Sequence, residues 1–404
     1  MITLFNEKKN CCGCGACENI CPKKAISMKE DEYGFIYPEI NRDLCIECHL
    51  CEKVCHFQSR TNYSNEHKAY AAVTKNQEIL MNSTSGGIFT TIALEFIKDG
   101  GYVAGSIYDE NFNVVHIVSN KVEDVYKMQG SKYVQSSIDD TYFQIRKLLL
   151  KKEKVLFSGT PCQVDGLYGY LQRDYDYLYT IDIVCHGVPS NKMFQDYLKN
   201  VCKNNEKIND IKFRDKGQTW GTFGYIYLKN KNGKKKIKIN SGVSEYYYLF
   251  SQGSVFRDSC YSCKYASKQR PANLTIGDYW GIETVESKLL KRKGMDVKKG
   301  ISLIISNNSK GNSLLDMVRN SFYIYDSTFE NVSKFNYNLK KASSLPQNRN
   351  HILEYYSKNG MSEVMKLVQK NMKKEHIKLI ISQLIPVGLK KNIKRFYRKL
   401  LCRN

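Results

Sequence analysis

Apolar residues in this chain fall in short blocks whose spacing changes along its length. Residues 26–40 hold two short alternating segments around Tyr33-Gly34-Phe35, which predicts a β-hairpin. Residues 58–68 are polar and lack aliphatic side chains, so they are expected to link two units. Beyond them, residues 69–74 read as a strand, and 88–98 as a helix stopped by Gly100-Gly101. Strands are predicted over 102–108, 114–118, 154–157 and 178–184, and helices over 141–152 and 192–202. A hairpin is expected over 225–239, turned at Asn232-Gly233. This alternation predicts α+β: a small N-terminal unit, a larger mixed-sheet α/β body and a helical tail.

Cysteine usage adds chemistry to that outline. The chain has fifteen cysteines, and its N-terminus lacks an apolar leader, so metal ligation in a reducing cytoplasm is expected rather than disulfides. Eight cysteines form two sets, Cys11-x2-Cys14-x2-Cys17-x3-Cys21-Pro22 and Cys45-x2-Cys48-x2-Cys51-x3-Cys55, each position in the second lying 34 after its counterpart. Thiolates suit iron, and two-residue gaps let one loop aim three sulfurs at a cuboidal [4Fe–4S] cluster, as in bacterial ferredoxins. The fourth cysteine reaches the other cluster. One cluster is therefore expected on Cys11, Cys14, Cys17 and Cys55, the other on Cys45, Cys48, Cys51 and Cys21. Zinc uses the same pairs but takes four ligands per ion, and the repeated sets of four favour iron. His56 stands where Pro22 leads one to expect proline, and Cys12 falls outside the spacing and reads as a buried small side chain. Cys202 and Cys402 have no spacing partner and read as structural.

Four stretches of the body carry candidate chemistry. Ser83-Thr84-Ser85-Gly86-Gly87-Ile88-Phe89-Thr90 opens a helix with hydroxyls and glycines, a phosphate cradle or a simple helix cap. Gly130-Ser131-Lys132-Tyr133-Val134-Gln135-Ser136 is a strand-like run that suits an anionic, ring-bearing ligand, or equally a solvated surface strand. Gly159-Thr160-Pro161-Cys162 and Cys185-His186-Gly187 each put a cysteine just beyond an apolar strand, where ligands gather in open α/β sheets. A Cys–His nucleophile is the rival there, weakened because neighbours on a strand point to opposite faces. Cys260-x2-Cys263 is a metal-ligand spacing that needs two more ligands, and Cys162 and Cys185 are the candidates. A third [4Fe–4S] cluster on these four is the expectation, with a local disulfide or free thiols as the alternative.

The net charge of +22 raises the question of nucleic acid until the charge is located. Residues 365–404 hold twelve Lys/Arg against one Glu, half of the whole excess. The body is only mildly basic, so no specific nucleic-acid binding is expected. In the tail, Leu389, Ile393, Phe396 and Leu400 share a helical face opposite lysines. Such a helix lies on an anionic membrane, docks in a partner groove, or packs on its own domain. No run of about 18 apolar residues exists to span a bilayer. A cytoplasmic protein is expected, attached peripherally at the inner face of the membrane if the tail binds lipid.

Taken in order, Ser85-Gly86-Gly87, Gly130-Ser131-Lys132-Tyr133, Gly159-Thr160-Pro161-Cys162, Cys185-His186-Gly187, Phe213-Arg214-Asp215-Lys216, Cys260-x2-Cys263, Gly277-Asp278-Tyr279-Trp280-Gly281 and Lys299-Gly300-Ile301-Ser302 resemble the family of coenzyme F420 hydrogenase and dehydrogenase beta subunits. The resemblance runs from the cysteine sets to about Gly360, and plant 7-hydroxymethyl chlorophyll a reductase is similar in the same way. It implies a ferredoxin-like domain over 1–57 and a flavoprotein domain with an iron–sulfur site over 69–345; composition adds the linker over 58–68 and a basic helical tail over 346–404. It further implies FAD on Ser85, Gly86, Gly87, Thr90, Ser131, Lys132, Tyr133, Gln135 and Arg214, and supports the third cluster. The implied function is an iron–sulfur flavoprotein oxidoreductase coupling two-electron flavin chemistry to one-electron transfer. A non-catalytic electron-transfer protein is the alternative, and no catalytic residue is assigned. Implied partners are a redox protein or a deazaflavin, nicotinamide or ferredoxin donor. The Lys-, Asn-, Ile- and Tyr-rich composition fits an AT-rich bacterial genome. Some bacterial relatives are similar to proteins encoded among polysaccharide-biosynthesis genes, so a reductase in polysaccharide biosynthesis is one expectation.

Overall fold

The structure is a computed structural model that describes residues 2–59, 63, 66–202, 206–217, 220, 223–230 and 233–384. In the N-terminal unit, β1 (Ile26–Glu30) and β2 (Ile36–Ile40) form the expected antiparallel hairpin, with Ile26 opposite Ile40. The two cysteine loops flank it and run into short helices, Ala16–Ile20 and Leu50–Lys53. Left-handed Gly15 and His49 turn the chain into them.

The body is built on one eight-stranded sheet. Its strands are β3 (Lys68–Thr74), β4 (Tyr102–Tyr108), β5 (Val114–Ser119), β6 (Val155–Gly159) and β7 (Leu178–Ile183). A separate three-stranded sheet follows, of β8 (Lys207–Lys212), β9 (Gly224–Asn230) and β10 (Gly233–Ile239), and β11 (Leu274–Asp278), β12 (Ser302–Ser306) and β13 (Phe322–Ser327) complete the large one. The order is β13-β3-β12-β11-β7-β6-β4-β5. The central strands β11, β7, β6 and β4 are parallel, and antiparallel pairings continue the sheet on both sides. The chain is thus α+β with a mixed sheet. The parallel strands are covered on both faces, with Val155, Leu156, Phe157 and Ile181 at 0% exposure and Thr180, Asp182 and Thr275 buried among them.

Two expectations need correction. Residues 130–136 form no strand; Gln135 N–H donates to Pro189 O at 3.0 Å, and the nearest pairing is an isolated bridge between Val115 and Ser137. Glycine at 130, with φ of 86°, breaks the extension that the side-chain pattern suggested. Second, the 346–404 segment does not begin as a tail. The helix Arg349–Leu384, kinked at Gly360, buries Ile352, Leu353, Tyr356, Met361, Val364, Val368 and Met372 against Phe194, Tyr197 and Tyr246. Leu389, Ile393, Phe396, Leu400 and Cys402 lie outside the described residues, as does Asn232 of the β9–β10 turn. Among the described residues no helix is long and apolar enough to cross a membrane.

The N-terminal unit rests on the helix Pro161–Leu171, whose first turn is closed by a reciprocal cap between Thr160 and Gln163. Cys162, Asp165, Gly166 and Gly169 recur at one-turn spacing and so share a face. A β-carbon on Gly169 would stand 2.2 Å from the Val54 carbonyl, and one on Gly166 would stand 2.8 Å from Cys14 Sγ. Only glycine lets the helix come this close. Asp165, wholly buried, accepts a hydrogen bond from His56 Nδ1 at 3.0 Å and others from the Tyr63 and Tyr265 hydroxyls, with the Lys264 ammonium 3.6 Å away. His56, the departure from the proline pattern, is therefore a clasp.

Burial opposes ionisation of Asp165, yet the hydrogen bonds from His56, Tyr265 and Tyr63 and the charge of Lys264 hold its carboxyl below the usual aspartate value. A carboxyl held down by folding contributes stability above its unfolded pKa and loses it as pH falls through the folded one. Asp165→Asn is expected to destabilise the protein by about 2–3 kcal/mol near pH 7. In denaturant titrations the gap from wild type should close progressively below about pH 3.9; a gap that stays constant well below that pH would refute the clasp.

Candidate functional site

The crossed cysteine sets meet in space. Cys21, Cys45, Cys48 and Cys51 line one cavity beside Pro22. Cys11, Cys14, Cys17 and Cys55 line another, with Cys12 and Cys51 at its wall. Ala25 N–H reaches Cys21 Sγ at 3.2 Å, and the Gln58 side-chain amide reaches Cys55 Sγ at 3.4 Å, contacts that favour thiolate sulfur. Among the described residues no three His, Cys, Asp or Glu side chains converge as a single ion requires. The sulfurs stand around cavities instead, which suits a four-iron cube better than zinc.

A third cavity lies in the body. Cys162 enters it from the first turn of its helix, Cys185 from just beyond β7, and Cys260 and Cys263 from the turn that begins at Asp258. These thiols are free, so the local disulfide is absent. Cys12 lines the same cavity, within hydrogen-bonding reach of both Cys14 and Cys162. Nothing in the spacing marked it, because its role depends on which body residue it meets. Burial and the nearby Cys260 push the Cys185 thiol far up, the reverse of what a nucleophile needs. Beneath the cavity, Arg270 Nη2 pairs with buried Asp182 at 2.8 Å, while Nη1 holds the Tyr265 carbonyl at 2.7 Å.

Next to this cavity, at the carboxyl ends of β4, β6, β7 and β11, opens a cleft of about 1380 Å³ including its mouth. Of the residues proposed for a flavin, Ser85, Gly87, Thr90, Ser131, Lys132, Tyr133 and Arg214 line it. Gly87, at φ of 80°, starts the helix Ile88–Lys98, whose first turn forms one wall. Tyr133 stacks on Phe250 with ring centroids 4.3 Å apart, giving an aromatic side. Two of the proposed residues sit elsewhere. Gly86 is packed on the sheet, where a β-carbon would stand 2.4 Å from the Ala72 carbonyl. Gln135 lies in the third cysteine cavity, its amide donating to the Cys12 carbonyl at 3.1 Å. Neither position was legible: close packing on a distant strand fixes Gly86, and the irregular path of residues 130–136 fixes Gln135.

Polar groups in the cleft are incompletely used. The Lys132 ammonium is spent on the carbonyls of Met128, Gln129 and Gly130 at 3.2 to 3.5 Å, and burial lowers it to about 7. Arg214 pairs with Asp278 and lies over the rings of Trp220 and Trp280. Its Nε and Nη2 and one Asp278 oxygen are buried without partners. His116 was not singled out by the sequence. Its Nε2 reaches the Ser158 carbonyl at 3.1 Å and therefore carries the hydrogen, which leaves Nδ1 a buried acceptor with no partner. Burial pushes this imidazole down to about 4, so it is neutral. Orphaned donors and acceptors along a long cleft fit a large polar ligand.

Two family models match the chain. Residues 152–331 match the C terminus of the coenzyme F420 hydrogenase/dehydrogenase beta subunit, and residues 10–59 match a 4Fe-4S dicluster domain. Residues 152–331 are thus similar to the C-terminal domain of the coenzyme F420 hydrogenase/dehydrogenase beta subunits. An uncharacterized protein of Methanocaldococcus jannaschii is 24% identical over 81% of this chain and 91% of its own length. The coenzyme F420-dependent sulfite reductase of the same organism is 27% identical over 46% of this chain. A subunit of the F(420)H(2) dehydrogenase of Methanosarcina mazei is 25% identical over 38%. The chain spans less than half of these last two relatives, 29% and 46% of their lengths. A chain of the F420-reducing [NiFe] hydrogenase complex from Methanosarcina barkeri aligns with a TM-score of 0.43 at 14% identity, covering 76% of this chain and 93% of that one. The dicluster match makes the chain an iron–sulfur protein, and both matches are to proteins of redox electron transfer.

The Arg270–Asp182 pair braces the turn that carries Cys260 and Cys263. Removing only the cation leaves a buried, uncompensated carboxylate, so Arg270→Ala should cost about 3–5 kcal/mol in denaturant unfolding. Arg270→Met with Asp182→Asn should recover a large part of that loss.

Proposed function

We propose that the protein is an iron–sulfur flavoprotein oxidoreductase, with FAD in the cleft and a third [4Fe–4S] cluster on Cys162, Cys185, Cys260 and Cys263. The observation that carries this reading is the shared wall: Thr160, Cys185, His186, Gly187 and Val188 line both the cleft and the cysteine cavity. A bound flavin supplies the exchange between two-electron and one-electron chemistry. The first turn of Ile88–Lys98 offers amides to a phosphate. Arg214, fixed by Asp278, keeps two nitrogens for the negative charge of a reduced ring.

From the cleft, Cys185 leads to the cysteine cavity, Cys12 bridges Cys162 to Cys14, and the second ferredoxin cavity ends at Cys48, which is exposed. A redox partner protein would meet the chain there. For the two-electron donor or acceptor, a deazaflavin heads the screen because two relatives carry coenzyme F420 in their names, with nicotinamide and ferredoxin beside it.

Anaerobic purification, iron and sulfide analysis and flavin identification test the reading. About twelve irons per chain, four for each of three clusters, and one FAD bleached by reductant are expected. Eight irons would remove the third cluster. Twelve irons without flavin would leave an electron-transfer protein.

The excess of Lys/Arg in residues 365–404 supports contact of the tail with anionic membranes. Full-length protein should float with phosphatidylserine vesicles and a chain ending at Leu384 should not. Cutting at Gly360 would be uninformative, since Met361, Val364 and Val368 are core. Equal flotation of full-length and Leu384-terminated chains would remove the membrane role.

A further inference from the structure

Arg257 lies three residues before Cys260 and reaches from the body into the first cysteine loop. Its side chain is fully buried, at 0% exposure. Nε donates to the Cys11 carbonyl at 2.8 Å, Nη1 to Gln135 Oε1 at 3.3 Å, and Nη2 approaches Cys11 Sγ at 3.7 Å. The guanidinium lies 4.0 Å from the centroid of the Tyr37 ring. Gly13 makes room for it, since a β-carbon there would stand 2.9 Å from Nη1. The same side chain lines the cavity of Cys162, Cys185, Cys260 and Cys263.

Its charge is not matched by a carboxylate. Buried Arg214, Arg270 and Arg349 each pair with one, respectively Asp278, Asp182 and Asp258. Among the described residues no Asp or Glu pairs with Arg257, and the nearest acidic neighbour in sequence, Asp258, is taken by Arg349 at 3.0 Å. Burying an unpaired cation costs several kcal/mol, so an anion is expected beside it. The groups that face it are the sulfurs of Cys11, Cys12 and Cys260 and the ring of Tyr37. Four thiolates around an iron–sulfur cube carry net negative charge, which grows by one when the cube accepts an electron.

We propose that Arg257 is the shared counter-charge of two clusters, the one on Cys11, Cys14, Cys17 and Cys55 and the one on Cys162, Cys185, Cys260 and Cys263. This rests on reading the latter four as cluster ligands. Arg257 acts through these ligands as a positioning residue: it ties the ferredoxin loop to the body and favours the reduced state of both clusters. One electron passes between them, one cube oxidised and the other reduced, with no bond made or broken. The cluster on Cys45, Cys48, Cys51 and Cys21 does not touch Arg257 and provides an internal reference.

The test is a redox titration of the full-length, anaerobically purified protein followed by electron paramagnetic resonance. In Arg257→Gln the first ferredoxin cluster should become at least tenfold harder to reduce, about 59 mV for one electron. The body cluster should move the same way, the reference cluster should stay, and Arg257→Lys should restore the potentials. Should Arg257→Gln lose iron, Gln135→Glu sets a carboxylate against Nη1 with the arginine in place, and the same downward shift is expected. Twelve irons with unmoved potentials in both variants would overturn the role of Arg257. Eight irons in the wild type would instead overturn the body cluster on which the sharing depends.

Discussion

The ferredoxin-like cysteine loops and the cysteine cavity of the body are brought together by one helix face. Gly166 and Gly169 on the helix Pro161–Leu171 admit Cys14 and the Val54 carbonyl to distances that a methyl group would forbid. Cys162 and Asp165 on the same face supply a sulfur for the body cavity and a buried carboxylate for His56. The position of Cys12 between Cys14 and Cys162 follows from that contact. So does the reach of Arg257 into the first loop. The large sheet determines where the helix stands, and Tyr142 underneath it fixes the helix from within by donating to the Gln163 carbonyl.

Buried charge is handled differently around the sheet and at the sites. Arg270 with Asp182, and Arg349 with Asp258, pair at the turn bearing Cys260 and Cys263, with one Asp182 oxygen left without a partner. At the cleft, Arg214, Asp278 and His116 keep buried atoms without partners. Such groups lower stability in the bare chain, and the four such atoms at the cleft are open to a polar ligand. The proposed flavin and clusters would offset such costs, and the matched families are of redox proteins.

Local sequence determined more of this protein than its low identity to relatives suggests. The cysteine spacing selected two iron–sulfur sets because thiolate geometry depends on gaps of two and three residues, which are covalent facts of the chain. The hairpin about Tyr33-Gly34-Phe35, the helix Ile88–Lys98 and strands β3 to β7 followed from apolar periodicity and glycine stops, which act over a few residues. The short strands β11 to β13 were not legible, since five or six residues such as Leu274–Asp278 become a strand only by pairing with partners far along the chain.

The tertiary structure alone decided the meaning of single residues. Gln135 went to the cysteine cavity rather than the cleft because Gly130 and the bond to Pro189 bend residues 130–136 out of extension. His56, an apparent flaw in a repeat, became a clasp once Asp165 was opposite it, and Cys12 and Arg257 acquired neighbours 150 or more positions away. Sequence determined what each cysteine set and each strand could form, because those depend on local spacing. Long-range packing determined which charges and sulfurs share a cavity, because burial and distance are properties of the folded chain.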